Sequence, residues 1–244
     1  MIDSIKQTMI RNIRYIPYFF KRESSYSSSQ YNYALFGKLS ATILHDILTP
    51  INSLSLVSEL EQKGQSKLHP IITESTKQIK EYVEIMRDFL EPTKNHTQTH
   101  VNIEIIKCIK LLTHKARLHS VSIQYIEFDQ IYSKIDSMHI YQIVINLISN
   151  AIEASIQSES KKVILILKKE KDTFIFECKD FGSGISKDIL SKISTPHFTT
   201  KETGTGLGLF SVKHILSQYL NGSLFIQSEP NQGSLFSCHI PLVK

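Results

Sequence analysis

Apolar residues recur at three- and four-residue steps through the first part of the chain, and after about residue 100 they switch to alternating or continuous runs. Ile2, Ile5, Met9, Ile13 and Ile16 fall at helical spacing with Lys6, Arg11 and Arg14 off the stripe, so residues 1–22 read as a short amphipathic helix that Pro17 ends or kinks. "ESSYSSSQ" at 23–30 is a polar, serine-rich linker. From about Tyr31 to Gln62, Phe36, Leu39, Ile43, Ile47, Ile51 and Leu54 form a second stripe. "KGQSK" (63–67) is a turn, and a further helix fits from about Leu68 to Leu90, with Leu68, Ile72, Ser75, Ile79, Val83, Met86 and Leu90 on one face. A helical hairpin results. Alone it cannot bury both stripes, so two copies are expected to form a four-helix bundle, which makes the protein a homodimer.

Downstream, "VNIEIIKCIKLLTHKAR" reads as a short strand and a helix, and "VSIQYIEF" and "YSKID" as strands. "MHIYQIVINLISNAIEASIQ" is a strongly apolar helix, and "KKVILILKKE" with "DTFIFECKD" is a strand pair. An irregular stretch runs to Thr205, then a helix to about Leu220, then strands near 223–228 and 234–240. The pattern predicts an α+β layer, one sheet with helices on one face. The expected units are 1–30, a hairpin at 31–95 and an α+β domain at 96–244.

Composition narrows the class without choosing within it. A net charge of +5 is mild, and no basic run interleaves with aromatics, so nucleic-acid binding has no support. Cys108, Cys178 and Cys238 are far apart and form no CxxC pair, which suits reduced, small apolar residues of a cytoplasmic protein. No apolar run reaches the roughly 18 residues that span a bilayer, and the N-terminus lacks the apolar core of a signal peptide.

Chemistry concentrates late in the chain. "KETGTGLGLF" (201–210) places Gly204, Gly206 and Gly208 before or at the start of a helix. Bare N–H groups at a helix start hold anions, and a triphosphate is the natural guest, although such a turn also serves as a plain tight connection. "DFGSG" puts Asp180 at a strand end before Gly182 and Gly184. A carboxylate there can accept from the exocyclic amine of adenine, or simply open an Asp–Gly turn. Asn146 and Asn150 share one face of an otherwise apolar helix. Their amides suit a polar ligand or Mg²⁺, or else a cap or a core polar pair.

In this order, Asn150, "DFGSG", "STPHFTTK" and "GTGLGL" resemble the N, G1, F and G2 boxes of the Bergerat ATP-binding fold, parts of which heat-shock chaperones, type II topoisomerases and mismatch-repair ATPases share. "FTTKETGTGLGL" and "GSLFSCHIPL" resemble sensor histidine kinases of the nitrogen-regulation type. The resemblance implies a helical-hairpin dimerisation domain followed by an α/β sandwich ATP-binding domain. It also adds Thr200, Lys201, Thr205 and Leu207 to the ATP site and makes Asn150 the Mg²⁺ ligand.

Such a kinase needs an H-box upstream, and "LHDILTPINSL" at 44–54 supplies it. His45 points away from the Ile43–Ile47 stripe, Thr49 shares its face, Asp46 adjoins it, and Pro50 should kink the helix one turn later. The implied chemistry is attack of a neutral His45 imidazole on the γ-phosphorus of ATP, with Asp46 orienting the ring and taking its proton. Mg²⁺ and the glycine N–H groups spread the phosphate charge. The resemblance implies transfer onto the Asp of a response regulator receiver domain, and the reverse hydrolysis with Thr49 holding the attacking water. His197 stands where a second Phe is usual, Glu153 where many members have Lys or Arg, "DIL" where an Arg is usual, and Asn221-Gly222 where Gly-Gly is common. The first of these bears on the lid, about 184–205.

Two rivals stand beside this reading. One is a non-catalytic dimeric phosphotransfer adaptor with a degenerate ATP domain. The other is a Bergerat serine kinase or ATPase that ignores His45. No sensor domain precedes the bundle, so input is expected from a separate sensor protein or through docking of the N-terminal residues. Membrane contact is at most peripheral, through residues 1–22.

Overall fold

The computed structural model describes residues 50–54, 57, 68–90, 98–201 and 206–243. Among the site candidates, His45, Asp46, Thr49, Gly204 and Thr205 lie outside the described residues, as do residues 1–30 and most of the first expected bundle helix. Helix α1 spans His69–Leu90, matching the expected Leu68–Leu90. Leu68 and Ser75 are buried and Ile72 and Ile79 half-buried, so the stripe read from periodicity is the sheltered face of this half, whereas Val83 on the same stripe is exposed.

The α+β domain begins with a two-residue strand β1 (Thr99–His100), then α2 (Val101–Leu118), β2 (Ser122–Glu127), β3 (Tyr132–Ser133) and α3 (Ser137–Ser155). It continues with β4 (Lys162–Glu170), β5 (Thr173–Asp180), a single turn α4 (Lys187–Leu190), α5 (Gly208–Tyr219), β6 (Ser223–Glu229) and β7 (Gly233–Pro241). The short strand expected within "VNIEIIKCIKLLTHKAR" is absent: the helix starts at Val101 itself. Val101, Ile105, Cys108, Leu111 and Leu112 are all buried on one helical face, and this 3.6-residue period overrides the local β-branched run. The strand lies one step earlier, and β1 pairs antiparallel with β3 in a small sheet of its own.

The main sheet has the order β2-β4-β5-β7-β6. Its β4-β5, β5-β7 and β7-β6 pairs are antiparallel, and β2-β4 is parallel. A parallel neighbour requires a crossover, and α3 provides it. Asp136 caps α3 by accepting from the Met138 N–H at 2.8 Å. Helix α3 is apolar on most of its surface because it touches α2, α5, β4, β5 and β7 at once. One face of the sheet meets the helices through Val163, Leu165, Leu167, Phe174, Phe176, Cys178, Phe236, Cys238 and Ile240. The other face is mixed, with Ile164, Ile166 and buried Ile175 among polar residues and Lys168 bridging Glu170 (3.4 Å) and Glu177 (3.2 Å). All three cysteines are buried free thiols, pushed up by desolvation. No helix among the described residues is long and apolar enough to cross a membrane.

Candidate functional site

Helix α3 supplies the first wall. Asn146 is 5% exposed, and its amide nitrogen donates back to the Gln142 carbonyl at 2.7 Å. That bond fixes the amide flip and leaves Oδ1 facing α5. A Cβ built on Gly208 would lie 2.9 Å from Asn146 Oδ1 and 3.9 Å from Asn150 Nδ2. The first residue of α5 therefore presses on the face of α3 that carries both asparagines, and any side chain there would push them apart. Leu207 precedes it as the helix cap, without a capping side chain.

The second wall is the end of β5. Asp180 is 2% exposed, and its Oδ1 accepts the Gly182 N–H at 2.9 Å. Burial pushes its carboxyl above the ordinary Asp range, against the pull of hydrogen bonds from Gly182 and Ser234. Ser234 stands directly opposite Asp180 in the β5–β7 register. The turn after Asp180 is clamped to the β6–β7 hairpin: Asn231 N–H donates to Ser183 O at 2.7 Å and Ile185 N–H to Ser228 Oγ at 2.8 Å. Gly184 takes φ +64 there, and a Cβ would sit 1.9 Å from the Glu229 carbonyl oxygen, so only glycine fits. Gly182 packs against the Ala154 carbonyl at the end of α3, joining the two walls.

The lid segment lies over this pair. Gly206 abuts the His197–Phe198 peptide, and His197 itself has φ +62, an unusual backbone for a residue with a Cβ. Thr200 and Lys201 are exposed. Lys201 nevertheless reaches α3: its Nζ lies 3.3 Å from Asn150 Oδ1 and pairs closely with Glu153 Oε2. From the opposite side, Lys115 on α2 donates to Glu153 Oε1 at 2.6 Å and to Ser149 Oγ at 2.8 Å. Ser149 in turn donates to Glu153 Oε1 at 3.2 Å. Burial alone would raise the Glu153 carboxyl. The bonds and charges of Lys115 and then Lys201 outweigh it and hold the group at about 2.

Gly208 thus sits on Asn146 and Asn150, Lys201 reaches Asn150, and Gly182 joins the end of β5 at Asp180 to the end of α3, whereas Gly184 abuts Glu229 and Gly206 abuts His197. Sequence reading did not find Lys115 or Ser234. Lys115 is 38 residues from Glu153, and Ser234 is recognisable only from the strand register. Among the described residues no three His, Cys, Asp or Glu cluster as a metal cage. A hard cation here would rest on an amide oxygen and on oxygens of a bound ligand, the mode that suits Mg²⁺ with phosphates.

Residues 135–244 match the family model of the histidine kinase-, DNA gyrase B- and HSP90-like ATPases. The α+β domain is similar to that family over these residues. The α+β domain resembles a solved structure, the catalytic domain of histidine kinase ThkA, at 27% identity and a TM-score of 0.55, over 61% of this chain and 97% of that one. Curated relatives include sporulation kinase A of Bacillus subtilis (28% identical over 214 residues, 85% of this chain and 35% of the relative). Sporulation kinase D of the same organism is 29% identical over 238 residues, covering 92% of this chain and 46% of the relative. A further solved structure, ThkA in complex with the response regulator protein TrrA, shares the fold at 23% identity and a TM-score of 0.52, over 87% of this chain and 63% of that one. The chain spans between 35% and 55% of the length of the first relatives it matches.

Proposed function

We propose that this chain is an ATP-dependent histidine kinase that phosphorylates its own His45 and passes the phosphoryl group to an Asp of a response regulator. The observation that carries the reading is the direct seating of Gly208 on Asn146 and Asn150. It brings the start of a glycine-opened helix, whose N–H groups favour phosphate, against an amide suited to Mg²⁺. Asp180, buried at the far wall with one oxygen held by Gly182, suits recognition of the adenine amine. When bound, Mg²⁺ would supply charge neutralisation on the phosphates, with Asn150 as its protein ligand. Gly204, Thr200, Lys201 and Thr205 complete the phosphate side.

In this reading Asp46 orients His45 and takes its proton, and Thr49 serves the reverse hydrolysis. The named relatives and the ThkA–TrrA structure support a regulator partner. Val83, 48% exposed on an otherwise sheltered stripe, suits a second copy packed along residues 31–95. The free, buried thiols agree with a reducing, cytoplasmic setting.

The test is incubation with γ-labelled ATP and Mg²⁺. Acid-labile, base-stable label that disappears in His45→Gln is expected. Acid-stable label would move the reading to a serine kinase. Absence of both label and nucleotide binding would move it to an adaptor.

A further inference from the structure

The ion-paired chain Lys115–Glu153–Lys201 links the lid to the floor of the site through side chains, and Glu153 at its centre has no part in the chemistry above. Its geometry is asymmetric. Glu153 presents Oε1 to Lys115 and Ser149, both on the helical layer, and Oε2 to Lys201 on the lid. The carboxylate is therefore oriented from behind before it meets the lid. Lys201 has two acceptors one helical turn apart on α3, Asn150 Oδ1 and Glu153 Oε2. The first is the oxygen assigned to Mg²⁺. Two cations cannot share it, so metal entry requires the ammonium to leave Asn150. Glu153 offers an anchor that the metal does not contest.

We propose that Glu153 is a positioning residue: held by Lys115 and Ser149, it keeps the lid lysine Lys201 beside the phosphate end of the site while Asn150 passes from Lys201 to Mg²⁺. The inference rests on the ATP-site reading of the preceding subsection. It gives a role to a carboxylate that otherwise sits oddly beside a polyanion. Glu153 is neutralised by two lysines, so it does not repel the phosphates, and its charge is spent on placing a cation there. Without Glu153, Lys201 on its exposed lid has only the neutral Asn150 amide to hold it.

Two measurements test this. In protein without nucleotide, amide hydrogen exchange over residues 195–201 reads the tether directly, because the Lys201 N–H donates locally to Thr199 Oγ1 at 3.1 Å. Glu153→Gln should speed exchange there several-fold and leave α3 and β5 unchanged. Lys201→Gln, on the exposed lid, should speed exchange to the same extent, and it decides the question if the first variant does not fold. In autophosphorylation, Glu153→Gln should raise the KM for ATP about five- to tenfold with kcat within about twofold, and high salt should raise the parent's KM but not the variant's. Unchanged exchange in both variants, or a fall in kcat at constant KM, overturns the proposal. Mg²⁺·ADP binding to the parent, measured by calorimetry, separates the two layers. If the parent does not bind nucleotide, the site reading fails, whatever the lid does. If it binds and Glu153→Gln neither loosens the lid nor changes KM, only the present inference fails.

Discussion

The floor of the site and its lid are held in different ways. On the floor, Asn146 and Asp180 are 5% and 2% exposed, and part of the hydrogen-bonding capacity of each is committed to backbone, of its own helix for Asn146 and of the turn after its strand for Asp180. Their positions are set by the same burial that folds the domain. In the lid, residues 191–201 are mostly exposed, form no strand or long helix, and reach the floor through one lysine. The floor is preorganised, and its cost is carried by the core. The lid can exchange partners because little besides a screened ion pair opposes its movement. Both kinds of construction suit the proposed function of holding phosphates firmly while still admitting and releasing nucleotide.

Substitutions on the two sides should therefore differ in kind. The largest effect is expected at Asn150. Asn150→Asp keeps the shape but alters the charge of the proposed metal ligand and gives Lys201 a competing ion pair. Autophosphorylation should fall on the order of 100-fold with the thermal transition unmoved, and a full-rate variant would remove Asn150 from the chemistry. Next is Gly208→Ala, whose methyl would meet Asn146 Oδ1 at 2.9 Å. Nucleotide affinity should drop about tenfold while the far wall, read by exchange at Asp180 and Gly182, stays fixed. If affinity is unchanged, the contact between α5 and α3 does not shape the site.

The smallest effect concerns stability. Burial raises Asp180's folded-state pKa above its unfolded value. The stability tied to its protonation is therefore fully present below the ordinary carboxylate range and is lost as pH rises through the folded value. At neutral pH the buried charge is a burden, and Asp180→Asn should stabilise the domain by about 1 kcal/mol in denaturant titration. The gain should vanish in acid. Glu153 runs the opposite way: held at about 2, it contributes stability above the ordinary carboxylate range that is lost as pH falls towards that value. A stabilised Glu153→Gln or a destabilised Asp180→Asn would erase the contrast.

The same contrast governs what a one-dimensional reading captures. Helix α3 was legible from its long apolar run, although its cap Asp136 falls within the expected "YSKID" strand, and the β4–β5 pair because both strands are rich in branched and aromatic residues. The floor residues were legible because their motifs are local. Strand β1 has two residues and carries no period to detect, and the four-residue α4 is no clearer, whereas β3 lies within the expected "YSKID" strand but is only two residues long. "VNIEI" misled because a β-branched run and a helical stripe overlap in it, and the longer period won. The tether from Lys115 through Glu153 to Lys201 joins segments far apart in sequence, so position 153 could be marked only as a departure from the usual residue.

The single parallel pairing of the sheet also sets an order of events for the chain as it is made. Strands β4 to β7 join through antiparallel neighbours, whereas β2 pairs from Ser122↔Lys162 to Glu127↔Leu167 and must wait until α3 and β4 have been synthesised. Until then Ser122–Glu127 is a bare edge followed by Phe128, which stays 68% exposed even in the finished fold. Closing that long crossover carries the loop entropy that slows non-local pairing. The docking of β2 is the step at which a ribosome-bound or refolding chain is most open to pairing with the wrong neighbour, and it occurs at the edge of the sheet remote from β6 and β7.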